Sequence, residues 1–188
     1  MSDIYLIKTE RLYLRKIIEE DRNNFVNWRR DKDYYKYLPS VPLNKEKLNA
    51  KFDGLLNDSK SISFSIILKS TNEFIGCITI ERIDMANFSC ELSWGLVKSY
   101  QKKGYALEAL KAILAYLNNR KDINRIEIYI WSGNVDSQKL AENAGFIYEG
   151  TNRQSKFKDG QFYDVLNYSI VKNIDCFTWN NFHKQLPN

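Results

Sequence analysis

At 188 residues, with 44% hydrophobic and 14% aromatic side chains, the chain is long enough for one domain with a substantial core and short for two. Only three prolines and eight glycines argue against long linkers and low complexity, and no run approaches the roughly 18 apolar residues of a membrane helix. The net charge of +5 is scattered along the chain, which reads either as a solvated surface or as attraction to anionic partners.

Taken in order, Leu12–Arg15 reads as a short first strand and Glu19–Arg30 as a helix, with Phe25 and Trp28 at helical spacing. Pro39 and Pro42 break the chain, and Asn44 is placed to cap a helix running to about Leu56. Ser63–Lys69 and Phe74–Ile83 are expected to form a hairpin across Ser70-Thr71-Asn72, and Asn87–Val97 to pair back as a third strand. A helix from Gly104 to about Asn118 carries Leu107, Leu110, Leu114 and Leu117 on one stripe. Ile126, Ile128 and Ile130 alternate in the next strand, and a helix from Val135 to Ala144 follows, with Gly145 as its C-cap. Phe146–Asn152 and Tyr163–Val171 are the last two strands, joined around Lys158-Asp159-Gly160. A terminal helix is expected over 173–186. No internal repeat is present. An antiparallel meander followed by a βαβ unit predicts an α+β fold with three α/β/α layers and a mixed, mostly antiparallel sheet. One domain spans 1–188, its core at about 8–172.

Cys77, Cys90 and Cys176 are odd in number and show no metal-ligand spacing, so buried reduced thiols are expected. The single histidine, His183, has no carboxylate or cysteine pattern around it. A histidine-based triad or zinc site is therefore not expected, nor any metal. The N-terminus lacks the charged-then-apolar pattern of a signal peptide, which predicts a cytoplasmic protein away from membranes.

The segment Gln101-Lys102-Lys103-Gly104-Tyr105-Ala106 carries the chemistry. It is a basic loop running from a strand into a helix. The first N–H groups of a helix have no intrahelical partner, and the helix dipole adds about half a positive charge there. Gly104 permits close approach to the backbone, and Lys102 and Lys103 add charge. A phosphate-bearing ligand is the natural guest. The pattern Gln-x-x-Gly-x-Ala resembles the acyl-CoA pyrophosphate loop of the GNAT superfamily of N-acyltransferases. Asn134-Val135-Asp136-Ser137 and Leu140–Phe146 resemble that superfamily's second acyl-CoA motif. Thr9–Arg15, Ser137, Gly145-Phe146, Glu149-Gly150 and Asp159-Gly160 with Asp164 resemble the Rim-type branch of ribosomal-protein N-terminal acetyltransferases. The resemblance covers about residues 8–172.

It implies direct transfer of an acetyl group from acetyl-CoA to an amine on a peptide N-terminus or small molecule. Such transfer requires attack geometry, oxyanion stabilisation and two proton movements. The resemblance assigns backbone N–H groups of Leu96 and Val97 to the acyl carbonyl and pantetheine arm, Asn134 to the pantetheine amides, and Lys139 to the nucleotide phosphates. Glu91, an acid inside an apolar strand with Ser93 and Gly95 on its face, is a candidate base, or else a solvated or ion-paired glutamate. Ser137 is either a helix-capping residue or the proton donor to the thiolate. A tyrosine used by many GNAT enzymes is missing from Leu140-Ala141-Glu142. Glu108, in the first turn of the loop helix, reads as structural. Asp164 is a candidate for the acceptor cleft or for turn hydrogen bonding, and Trp28 lies in the region that reads the acceptor. Lys156 stands where relatives often carry an acid; it would repel a cationic acceptor and leaves room for an anionic one.

Two other readings also fit the sequence. A non-catalytic acyl-CoA-binding sensor would keep the donor site without the chemistry. An RNA- or ribosome-associated protein would explain the basic charge, but no nucleic-acid motif is present. Strand and aromatic surface near the last hairpin could support a homodimer.

Overall fold

The structure, a computed structural model, describes residues 6–38 and 44–172. The expected helix at 173–186 lies outside the described residues. Eight strands form one sheet: β1 (Leu6–Lys8), β2 (Leu12–Lys16), β3 (Ile62–Leu68), β4 (Glu73–Asp84), β5 (Ser89–Leu96), β6 (Arg125–Trp131), β7 (Ile147–Lys158) and β8 (Gln161–Val171). Their order is β1-β2-β3-β4-β5-β6-β8-β7, antiparallel throughout except for β5 and β6, which run parallel. Among the described residues four α-helices flank it: α1 (Arg22–Arg29), α2 (Lys45–Asn57), α3 (Tyr105–Asn118) and α4 (Val135–Ala144). This is the α+β, three-layer arrangement expected from the order of elements.

The alternation along β5 decides which layer each side chain meets. Cys90, Leu92 and Leu96 are buried in the larger core with Leu110, Ile113 and Leu117 of α3, Ala141 of α4, and Ile126, Ile128 and Ile130 of β6. The opposite sheet face holds a smaller core of Phe25, Val26 and Trp28 from α1 with Leu48 and Phe52 from α2, over Cys77. Glu91, Ser93 and Gly95 lie on that second face. Each fully covered Leu or Ile contributes about 1.5–3 kcal/mol of hydrophobic stabilisation.

Several boundaries differ from expectation for identifiable reasons. The Glu19–Arg30 helix is split: Glu19–Asp21 form a 3-10 turn before α1. Asp21 is buried and accepts hydrogen bonds from Arg15 (2.7 Å), Ile18 N–H (3.1 Å) and Ser65 Oγ (2.6 Å), which ties the turn to the sheet. The apolar stripe of α3 is rotated from the expected one, with Ile113 fully buried and Leu107 and Leu114 at its margin. A short β1 precedes the expected first strand, and β7 extends to Lys158. Alternation in β7 is interrupted by irregular pairing between Tyr148 and Gly150 and between Asn152 and Lys156. The closing turn carries Asp159 and Gly160 at φ 50° and 81°, the left-handed pair of a tight hairpin.

Candidate active site

A fork in the sheet organises the site. β5 and β6 pair only at Ser89–Arg125, Cys90–Ile126 and Glu91–Glu127, and then separate. On β5 the Val97 N–H is bonded to the Ile75 carbonyl at 2.9 Å, toward β4. Successive residues alternate, so Trp94 and Leu96 turn their N–H groups toward the opening. The Leu96 carbonyl faces the same way and accepts from Gln101 Nε2 at 3.0 Å. Leu96 thus turns its N–H toward the fork. Val97 does not: its N–H is committed to Ile75 and its carbonyl accepts from Tyr100 N–H at 2.9 Å.

The basic loop follows. Lys102 and Gly104 take left-handed φ of 58° and 82°, and α3 begins at Tyr105 with no side chain capping its N-terminus. The earliest N–H bonded back to the loop is that of Glu108, to the Gly104 carbonyl at 3.1 Å. The first-turn amides around Tyr105 and Ala106 are left for an anion. Residues 101–104 are exposed. Lys102 Nζ lies 3.7 Å from Asp136, linking the loop to the first turn of α4 across solvent.

Glu108 is a brace. It accepts from Thr9 Oγ1 (2.5 Å), Arg11 N–H (2.8 Å) and Arg11 Nε (2.7 Å), while Arg11 Nη1 donates to the Lys103 carbonyl at 3.0 Å. Burial alone would raise the Glu108 pKa, but these donors hold it below the usual carboxylate value. The Thr9–Arg11 stretch therefore fixes the geometry of the loop from the far edge of the sheet.

Glu91 marks the point where the strands part. It lies opposite Glu81 on β4 and Glu127 on β6, and its side chain is 17% exposed. Arg82 is its ion-pair partner at 2.6 Å. Desolvation raises the Glu91 pKa; Arg82 opposes this, and the charges of Glu81 and Glu127 add to the rise. A carboxylate held this way is suited to accept a proton.

Across the fork, Asn134 caps α4 by accepting from Ser137 N–H at 3.3 Å. Capping therefore belongs to Asn134, which leaves the Ser137 hydroxyl free of that task. Lys139 is exposed two residues on. Asp164 serves the last hairpin: it accepts from Gln154 N–H at 2.7 Å, where Gln154 takes φ of 51° inside the β7 irregularity. Lys156 is exposed and registers with Tyr163.

Sequence reasoning missed the roof of the site. A Cβ on Gly95 would lie 2.8 Å from Trp28 and 3.1 Å from Tyr34, and one on Gly133 would lie 3.2 Å from Tyr37. The segment after α1 thus crosses from β5 to the β6–α4 turn. Lys158 Nζ donates to the Leu38 carbonyl at 3.1 Å and also to that of Tyr35, tying this segment to the last hairpin. Trp28, buried, packs edge-on with Tyr34 at 5.0 Å between centroids. The tyrosine spacing offered no periodic signal that could have identified this segment. A cleft of about 660 Å³ lies beside the fork, lined by Asn24, Asn27, Trp28, Phe74, Val97 and Lys98 among others. None of its lining comes from β6 or α4, so it is separate from the donor groove.

The sequence profile of the acetyltransferase (GNAT) domain matches residues 11–147. The chain belongs to the GNAT acetyltransferase family. The uncharacterized N-acetyltransferase p20 of Bacillus licheniformis is 31% identical over 168 residues, spanning 87% of this chain and 94% of that protein. RimL, the ribosomal L7/L12 α-N-protein acetyltransferase solved with coenzyme A, superposes with a TM-score of 0.81 at 21% identity, covering 90% of this chain and 99% of its own. The spermidine N-acetyltransferase of Vibrio cholerae, solved with CoA and spermine, superposes with a TM-score of 0.80 at 20% identity, covering 88% and 98%. At these identities the two structures speak to the fold. This GNAT chain is an acetyl-CoA-dependent N-acetyltransferase that transfers acetyl to an amine. Its loop suits the donor: uncapped first-turn amides, a left-handed glycine and two lysines are a donor set suited to a pyrophosphate. Among the described residues, no group of His, Cys, Asp or Glu could hold a metal ion. No described helix is long and apolar enough to cross a membrane.

Proposed function

We propose that acetyl passes directly from acetyl-CoA to a primary amine, with Glu91 accepting the amine proton and Ser137 supplying one to the departing thiolate. The observation that carries this is the fork after Glu91, which sets a half-buried carboxylate at the base of the groove that Leu96 lines. Magnitudes refine the role of Glu91. At about 3.3 Å per residue it stands about 10 Å along the strand from Trp94 and about 17 Å from Leu96. Glu91 therefore takes its proton through ordered water, and the Trp94 N–H is the nearer donor for the developing oxyanion.

The remaining donor contacts follow from position. The amides of Gly104, Tyr105 and Ala106, with Lys102, Lys103 and Lys139, hold the phosphates. Gln101 orders the loop through Leu96, and the Asn134 amide N–H₂ meets a pantetheine carbonyl while its oxygen caps α4. Trp28 and the last hairpin, including Lys156 and Asp164, border the acceptor, with Asp164 acting by holding the hairpin's shape. A peptide N-terminus or a small-molecule amine both fit a cleft of this kind. The solved relatives, which act on a ribosomal protein and on spermidine, resemble the chain about equally.

The whole chain, 1–188, is read as one acetyltransferase domain. A cytoplasmic location is supported by the free buried thiols of Cys77 and Cys90. A homodimer through the outer hairpin is supported by exposed Ile147, Tyr148, Phe157 and Phe162. The test is a thiol-release screen with acetyl-CoA over peptides, polyamines, amino acids and aminoglycosides. Release with one amine class is expected. Saturable acetyl-CoA binding without release from any amine would replace this reading with that of a sensor.

A further inference from the structure

Arg29, at the C-terminal end of α1, is half-buried without an ion pair among the described residues, whereas Arg30 and Arg153, which also lack one, are exposed. Arg11, Arg15, Arg22, Arg82, Arg120 and Arg125 each meet a carboxylate. Among the described residues the Arg29 Nε is buried with no hydrogen-bond partner. Its guanidinium is enclosed by aromatic rings, with centroids at 3.9 Å (Tyr34), 4.6 Å (Trp28) and 4.9 Å (Phe25). Such a cage contributes cation–π attraction and holds the planar fork in one orientation. It supplies no hydrogen-bond acceptor in the guanidinium plane. A buried unpaired donor is costly, and stacked arginine prefers a bidentate oxyanion there.

The place of this cation is informative. Trp28 and Tyr34 are the side chains that abut Gly95, and Gly95 lies between Trp94 and Leu96 at the fork. Cys77 registers with Gly95, and its thiol, pushed up to about 12 by burial, is pulled the other way by the Arg29 charge. The Arg29 head therefore sits over the β4–β5 pair near Gly95. Glu81, on the same face, accepts its hydrogen bond from Ser93 Oγ and not from Arg29. The floor further down is acidic, with Glu81, Glu91 and Glu127 in one row across three strands.

We propose that Arg29 is the recognition point for an oxyanion, a carboxylate or a phosphate, carried by the acceptor a few bonds from its reacting amine. The acceptor class is a small zwitterion. Its ammonium faces the Glu91 row and its anion docks edge-on in the Arg29 fork. The inference rests on the acetyl-transfer reading above and deepens it.

The test uses full-length protein, acetyl-CoA and matched acceptors: free amino acids against their primary amides, phosphoethanolamine against ethanolamine, and spermidine as the cationic arm. At least one acid or phosphate is expected to exceed its neutral counterpart roughly tenfold or more in kcat/KM. The two arms distinguish carboxylate from phosphate. Arg29→Gln should bring that ratio to about one with acetyl-CoA affinity unchanged, and Arg29→Lys, which keeps the charge without the fork, should restore only part of it. Calorimetry on the CoA-loaded protein gives a readout independent of turnover. N-acetyl amino acids or N-acetyl-phosphoethanolamine should bind, their neutral partners roughly tenfold more weakly, and Arg29→Gln should erase the difference. Equal reaction of matched pairs, a preference for spermidine, or no binding of any anionic product would overturn the Arg29 assignment while leaving an acetyltransferase. Absence of thiol release from every amine would instead count against the acetyl-transfer reading, and product calorimetry would still decide the role of Arg29.

Discussion

Gly104 is where the donor site can be tested most cleanly. Its φ of 82° is the left-handed conformation that begins α3, and a Cβ there would meet Arg11 Nη2 at 3.2 Å. For alanine the backbone strain is about 1–2 kcal/mol, and the flexible end of Arg11 can move aside. Gly104→Ala should therefore lower the melting temperature by about 2–4 °C per kcal/mol lost and weaken acetyl-CoA less than tenfold. Gly104→Asp adds a carboxylate at the mouth of the uncapped helix, where the pyrophosphate docks. One such repulsion at about 4 Å lies between about 1 kcal/mol in water and about 4 kcal/mol near a protein surface. Because the loop is exposed, an intermediate figure of about 3 kcal/mol is appropriate, roughly a hundredfold in Kd. Calorimetric titration of acetyl-CoA into wild type and both variants, with melting curves as folding controls, measures this. A folded Gly104→Asp protein that binds acetyl-CoA within threefold of wild type would refute the placement of the phosphates at α3.

Other substitutions probe the remaining parts. Glu91→Gln should reduce kcat about a hundredfold while sparing acetyl-CoA affinity. Because the Glu91 pKa is raised and its ionised form is the base, wild-type activity should fall with decreasing pH through a value above that of an ordinary glutamate, and the variant should lose that limb; an unaltered kcat at saturating amine excludes Glu91 as base. Ser137→Ala should slow turnover with little change in melting, whereas Asn134→Ala should cost about 1 kcal/mol of stability through loss of the α4 cap; the reverse pattern would return capping to Ser137. Gly76→Ala places a Cβ 2.2 Å from the Gly95 carbonyl oxygen, so it should destabilise the protein by about 3 kcal/mol in chemical denaturation; a neutral result would contradict the β4–β5 register.

What the sequence reveals depends on whether the signal is local. The meander β3–β5, the βαβ unit through α3 and β6, and helix α4 closing at Gly145 are readable because alternation, helical stripes and a left-handed glycine are local patterns. The loop at 101–106 is readable for the same reason. The split before α1 is not, since it depends on Asp21 meeting Ser65, 44 residues away. The length of β7 is hidden by its irregular pairing with β8, which disrupts alternation. The loss of Val97 as a donor depends on which strand its N–H faces, and no composition or spacing reports that. Arg29 lies next to Trp28 and four residues after Phe25, so its cage was half visible; that it forms no ion pair among the described residues is a property of the folded chain alone.

The most direct test is acetyl-CoA titration by calorimetry across wild type, Glu91→Gln and Gly104→Asp. A single saturable site, retained in Glu91→Gln and weakened roughly a hundredfold in folded Gly104→Asp, is the predicted result. No saturable binding to wild type, or equal binding to folded Gly104→Asp, would contradict a donor site built from the β5–β6 fork and the N-terminus of α3.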